Sequence, residues 1–195
     1  MNAAELDYFE STVTPLRVEQ LYGQTFPRDS MLPLTRQRLW LIESGFVRTV
    51  NYSELGEIVT LGLWGVGDIV GRPLSDNQGY EVECLTPARC RLVRLQDINV
   101  SVVRSRQVHQ METLLNILHC RRIPERMLMF LSWLGEKYGQ ISDRGCILDL
   151  RLTHQAIAEI IGSTRVTVTR LLNLFESEGK LQKLGQQKLL LHTIL

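Results

Sequence analysis

The chain has 195 residues, 44% hydrophobic and 22% charged, with a formal net charge of +1. That length buries one mid-sized core or two small ones, and the balance excludes wholesale disorder, collagen-like sequence and repeat arrays. No apolar run reaches the ~18 residues of a membrane-crossing helix, and the acidic start MNAAELDYFE is unlike a secretion signal, so a cytoplasmic chain with no membrane partner is expected.

The near-neutral total hides an asymmetry. Residues 1–120 carry 11 Lys and Arg against 14 Asp and Glu, whereas residues 121–195 carry 11 against 7. A basic second half permits nucleic-acid binding, although scattered surface charge would give the same count. Cys84, Cys90, Cys120 and Cys146 match neither C-x-x-C metal spacing nor a compact disulfide framework, and His109, His119, His154 and His192 form no ligand pair. Reduced structural thiols are expected, with no metal and no cofactor.

From about Leu39 to Leu95 the pattern is short strands with glycine punctuation. Leu39–Ile42, Phe46–Val50, Ile58–Leu61 and Cys90–Leu95 are strand-like, and Gly45, Gly56, Gly62, Gly65, Gly67, Gly71 and Gly79 separate or flank them. A small barrel, sandwich or roll is predicted, without a long helix inside it. From Asp97 to about Arg121 the Gly and Pro vanish. Val108, Met111, Leu115 and Leu118 follow a 3-4-3 spacing, widened by Leu114, so one helix face is ready for a partner helix. Packing onto its own β-domain is the competing reading. Pro124 can open a further helix, predicted over Arg126 to Tyr138 with Met127, Phe130, Leu131 and Leu134 on one face and Gly139 closing it.

Ile147–Leu150 is a candidate strand, and Thr153 then caps a helix over His154–Ile161. Gly162 breaks it, Ser163 or Thr164 caps the next helix to about Ser177, and Leu181, Gly185 and Leu189–Leu191 form a closing hairpin. Two short helices across a tight glycine turn, then a hairpin, make a winged helix-turn-helix. At 100° per residue, Val168, Leu171, Leu172 and Phe175 share the core face of the second helix, leaving Arg165, Val166, Thr169, Arg170 and Asn173 opposite. Arginine can offer a bidentate fork to guanine, hydroxyls and amides can hold phosphates, and Val166 can meet a thymine methyl. An ordinary solvated helix in an interaction domain is the bland alternative.

The stretch Leu152 to Leu172 (LTHQAIAEIIGSTRVTVTRLL) resembles the DNA-binding module of the Crp/Fnr transcription regulators, most closely their cyanobacterial nitrogen-regulator branch. Leu39–Gly45, Phe46-Val47-Arg48 and the Gly67-Asp68-Ile69-Val70-Gly71 turn resemble that family's β-roll. The order of these parts covers about residues 15–195. The resemblance implies an α+β protein: a cyclic-nucleotide-binding-like β-roll over 1–96, a long dimerisation helix over 97–121 and a winged helix-turn-helix over 122–195. It also implies a homodimer that recognises double-stranded DNA, not an enzyme, on a palindromic GTA-N8-TAC-like site. Arg165, Val166 and Arg170 would then read bases, Gln155, Thr164 and Thr167 would hold phosphates, and Val108, Met111, Leu115 and Leu118 would form the dimer seam.

The effector is open. The Gly71–Tyr80 loop lacks the glutamate and the R-S/T-A of cyclic-nucleotide binders, leaving Arg72 as the one anion partner, so cyclic AMP and cyclic GMP are not expected ligands. The branch's 2-oxoglutarate positions fall on Gln107 and Glu112, a glutamate without its arginine. The alternative from another class is a small-molecule-binding or protein-interaction module whose helix-turn-helix no longer binds DNA.

Overall fold

A computed structural model of the chain describes residues 23–54, 56, 58–149, 151–185 and 188–192. The chain divides into two compact units, one ending at Met111 and the other starting at Glu112.

In the first unit, strands β1 (Gln24–Phe26), β2 (Arg38–Ser44), β5 (Ile69–Val70) and β7 (Ala88–Arg94) form a sheet in the order β1-β7-β2-β5. Strands β3 (Val47–Tyr52), β4 (Ile58–Trp64) and β6 (Glu81–Cys84) form a second, ordered β4-β3-β6. All of these pairings are antiparallel. Side chains alternate across a strand, so the run Leu39-Trp40-Leu41-Ile42 serves two cores. Trp40 and Ile42 pack with Val47, Trp64, Val82 and Cys90 between the two sheets, while Leu39 and Leu41 pack with Ile69, Val93, Ile98 and Val103 on the other side. Each such side chain contributes about 1.5–3 kcal/mol on burial, which explains why an unbroken apolar tetrapeptide survives in a β-protein. The result is a β-roll.

The Gly67–Gly71 motif has a local cause. Gly67 sits at φ +86, where L side chains are strained, and the buried Asp68 accepts from the Gly65 N–H at 2.9 Å, closing the turn. Gly71 lies so near Leu39 that a Cβ there would stand 3.2 Å from the Leu39 Cα. Between them, Ile69–Val70 is a short strand on β2 and not merely part of a turn.

Helix α1 (Val100–His119) begins in the first unit and ends in the second. It is shorter than the predicted 97–121 because Leu95–Asp97 forms a separate 3-10 turn, closed by an Arg94–Asp97 ion pair at 2.8 Å. The second unit continues with α2 (Ile123–Tyr138), β8 (Gln140–Ser142), β9 (Gly145–Asp149), α3 (His154–Ile161), α4 (Arg165–Ser177), β10 (Leu181–Lys183) and β11 (Lys188–Leu191). Its sheet runs β10-β11-β9-β8. Met127, Phe130, Leu131 and Leu134 are buried on α2, which packs on β9, α3 and α4. No described helix is long and apolar enough to cross a membrane.

Several expectations need correction. Strands β1, β6 and β8 were not anticipated. Gly62 lies inside β4 instead of ending it, at a bulge where the Trp64 ring occupies the space of a side chain. Leu114 does not widen the α1 stripe: it is buried with Ile117, while Val108 and Leu115 are both 53% exposed. Helix α2 starts three residues before Arg126, with Pro124 in its first turn. The strand expected over 147–150 is β9, displaced toward its N-terminal side, and residue 150 lies outside the described residues. Residues 1–22, 55 and 57 of the β-roll expected over 1–96 also lie outside them.

Candidate nucleic-acid interface

The helix-turn-helix is built by two caps and one glycine. Thr153 accepts from the Ala156 N–H at 3.0 Å to start α3, and Thr164 accepts from the Thr167 N–H at 3.2 Å to start α4. Between them Gly162 takes the left-handed conformation at φ 63 and ψ 53, ending α3. Thr164, not Ser163, is therefore the second cap.

On α4 the two faces separate as the periodicity predicts. Val168, Leu171, Leu172 and Phe175 are buried. Arg165 and Arg170 are exposed, neither held in an ion pair among the described residues, and Val166 is 78% exposed between them. Thr164 and Thr167 stand at the start of this helix, their hydroxyls linked at 2.9 Å. Gln155, exposed on α3, donates to Glu159 at 2.9 Å, which leaves the rest of its amide available.

Two contacts that sequence reasoning missed lock this surface. Lys183 on β10 donates to Asn173 Oδ1 at 2.6 Å and to Glu176 Oε2 at 2.8 Å, and its backbone N–H donates to Glu176 Oε1, so the wing is tied to α4. The Lys183 bonds hold the Glu176 carboxyl below the usual glutamate range. His154, at the start of α3, lies with Nδ1 2.8 Å from Thr169 Oγ1 on α4. Its spacing from Thr169 carries no sequence signature, because the pair meets only once the two helices cross.

The remaining predicted site residues fall elsewhere. On α1, Val108, Met111 and Leu115 are exposed and Leu118 is half-buried, so the stripe has an open apolar face. Arg72 lies in a 3-10 turn (Arg72–Leu74), its guanidinium donating to the Asn77 carbonyl. It borders a cleft of about 410 Å³ with Met31, Arg36, Tyr80 and Glu81. Glu112 is exposed on α1. Gln107 donates to the Ile69 carbonyl at 3.0 Å and Gln110 to Asp68 Oδ1 at 3.2 Å. All four cysteines are unpaired. Burial pushes the Cys90 thiol up to about 12, as suits a core residue and not a reactive one.

Residues 125–193 match the Crp-like helix-turn-helix domain. Over 178 residues the chain is 42% identical to the regulatory protein CysR of Synechococcus elongatus, covering 89% of this chain and 84% of the relative. It is 33% identical to the global nitrogen regulator of the same organism, covering 81% and 78%. Among solved structures it resembles FixK2 of Bradyrhizobium japonicum with a TM-score of 0.71 at 18% identity, over 89% of this chain and 94% of that one, a likeness of fold. A β-roll, a long helix and a winged helix-turn-helix in this order, with relatives of this similarity along most of their length, make the chain a member of the Crp/Fnr family of transcription regulators.

Proposed function

We propose that the chain is a homodimeric, sequence-specific DNA-binding regulator, without enzymatic activity, that works in the cytoplasm on a palindromic GTA-N8-TAC-like site. The observation that carries this reading is the exposed face of α4, where two arginines held in no ion pair among the described residues flank a 78% exposed valine on a helix buried along its opposite side. Arg165 and Arg170 read guanine through O6 and N7, and Val166, which cannot hydrogen-bond, favours a thymine methyl. Gln155, Thr164 and Thr167 hold phosphates around the N-terminus of α4, where backbone N–H groups favour an anion. The domain limits of this reading are a β-roll to residue 96, a dimerisation segment over 97–121 that holds α1 (Val100–His119), and the DNA-binding module beyond. The open Val108, Met111, Leu115 and Leu118 stripe supports pairing of two copies, which in turn calls for half-sites about one helical turn apart.

The test is a selection from random duplexes followed by titration across salt concentrations. Arg165→Ala costs about 1–3 kcal/mol and flattens preference at the guanine, Gln155→Ala weakens all sequences alike, and Val166→Glu moves preference toward cytosine. Affinity falls steeply with salt through counterion release. A non-palindromic motif, or one unchanged by Val166→Glu, rejects the assignment. Absence of specific duplex binding at any salt would favour the interaction-module alternative.

For the effector, the Arg72 guanidinium is engaged by the Asn77 carbonyl and has no glutamate beside it in the loop, so cyclic AMP and cyclic GMP do not bind. Saturable micromolar binding of either in calorimetry refutes this. Of the two 2-oxoglutarate positions compared, the chain keeps the glutamate, Glu112. Gln107, where the arginine would stand, is already bonded to Ile69, and a keto-diacid needs positive charge to offset its desolvation. The same calorimetry tests 2-oxoglutarate.

A further inference from the structure

The His154 imidazole joins the two helices of the DNA-binding module through Thr169, and one arrangement of protons satisfies both contacts of that hydroxyl. Thr169 donates its single hydroxyl proton to the Arg165 carbonyl at 3.0 Å, so toward His154 it can act only as acceptor. In that arrangement His154 Nδ1 carries the proton and donates to Thr169 across the 2.8 Å contact, in the neutral and the charged ring alike. The chain of contacts runs from the start of α3, through Thr169, to the backbone of the residue bearing the first base-reading guanidinium.

The groups around the ring decide its charge. Arg165 faces it from α4 and Lys183 from β10, the latter partly offset by Glu176. On its own helix Gln155 is bonded to Glu159, and the Asp149–Arg151 ion pair lies in the segment leading into α3. Burial, then Arg165, then Lys183 disfavour the imidazolium and hold its pKa below the ordinary histidine value. A duplex against α4 reverses the balance, because its phosphates offset the charge of Arg165 and favour a cation beside it.

We propose that His154 is a positioning residue for the recognition helix: it fixes the first turn of α4 through Thr169, and it takes up one proton from solvent, on Nε2, when duplex DNA binds. The inference rests on the DNA-binding reading of α4. Because the bound form then has the higher pKa, DNA affinity rises as pH falls through the histidine range and is lowest where the free and bound rings are both neutral. Asparagine at this position can place an amide donor where Nδ1 stands but cannot titrate.

The experiment is fluorescence anisotropy of a labelled palindromic duplex at fixed ionic strength from about pH 8.5 to about pH 6, with the wild type, His154→Asn and His154→Leu. The wild type should tighten as pH falls, toward a limit of about tenfold per half-site for each unit by which DNA raises the pKa, a limit met only below the pKa of the free ring. His154→Asn should bind like the wild type at the alkaline end and lose this excess slope. His154→Leu should bind more weakly at every pH, with the same slope as His154→Asn. NMR titration of the His154 ring should give a higher pKa with duplex than without. A slope unchanged in His154→Asn, or a ring pKa unmoved by duplex, overturns the inference while leaving DNA binding intact. Failure of the wild type to bind duplex at any salt overturns the DNA-binding reading and this inference with it.

Discussion

Arg126 offers the most direct test of how the DNA-binding unit is held together. From α2 its Nε and Nη2 fork onto the Cys120 carbonyl at 2.9 and 2.7 Å, just beyond α1, and its Nη1 reaches the Ile161 carbonyl at 2.8 Å, at the end of α3. One planar cation therefore satisfies carbonyls at the ends of two helices, where the helix dipole already favours positive charge. Arg126→Met keeps the aliphatic stem and removes all three bonds. At about 1 kcal/mol net for each, more for a charged donor and less for the partial exposure, the loss comes to about 2–3 kcal/mol. With a urea dependence of about 2 kcal/mol per molar, the unfolding midpoint of this unit should fall by about 1–1.5 M. Urea titration followed by far-ultraviolet circular dichroism and tryptophan fluorescence measures it. Arg126→Lys should recover less than half, since an ammonium cannot span both carbonyls. A midpoint for Arg126→Met within about 0.2 M of the wild type, or full recovery by lysine, would refute the reasoning.

Three further outcomes follow from the same geometry. Met111→Asp with Leu115→Asp places charge on the exposed α1 stripe, so sedimentation should show monomers and duplex affinity should collapse; wild-type monomers that bind tightly would disprove the seam. Arg48 is 3% exposed and bonded to Glu83 at 2.7 Å, so Glu83→Gln removes the countercharge facing a buried guanidinium and should cost about 3 kcal/mol in denaturant titration, with Arg48→Met restoring much of it. Because Lys183 depresses the Glu176 carboxyl, the wing clamp is complete above the ordinary glutamate range and is lost as pH falls through the lower folded value. The Lys183 amide shift in NMR should therefore move only below that range, and Glu176→Gln should abolish the transition.

Periodicity made the DNA-binding unit legible, since a helix packed on one face displays its burial every three or four residues. Val168, Leu171, Leu172 and Phe175 form such a series, and both threonine caps precede one. The β-roll was legible only where strands were long and apolar. Gln24–Phe26 and Gln140–Ser142 are too short and polar to show alternation, and Glu81–Cys84 reads as loop until β3 supplies its partner. Leu114 misled because apolar spacing along a helix does not say which side the chain itself covers: Leu114 and Ile117 are buried while Val108, Met111 and Leu115 are exposed. His154, Lys183 and Arg126 stayed silent for a common reason: each makes its contacts across elements, at separations that no local pattern encodes.

The order β1-β7-β2-β5 also bears on how the chain folds as it is made. Strand β2 pairs along most of its length with β7, about fifty residues later, and β1 pairs with β7 alone among the described residues. Until that last strand emerges, Leu39-Trp40-Leu41-Ile42 has only two residues of β5 beside it and neither core complete. A nascent or truncated chain ending before residue 94 thus presents an apolar strand with open edges, the form most prone to pair with another copy. Pairing with β7 completes both cores around this apolar strand, so slow synthesis through residues 81–94 should lower soluble yield more than the same delay in the helical unit.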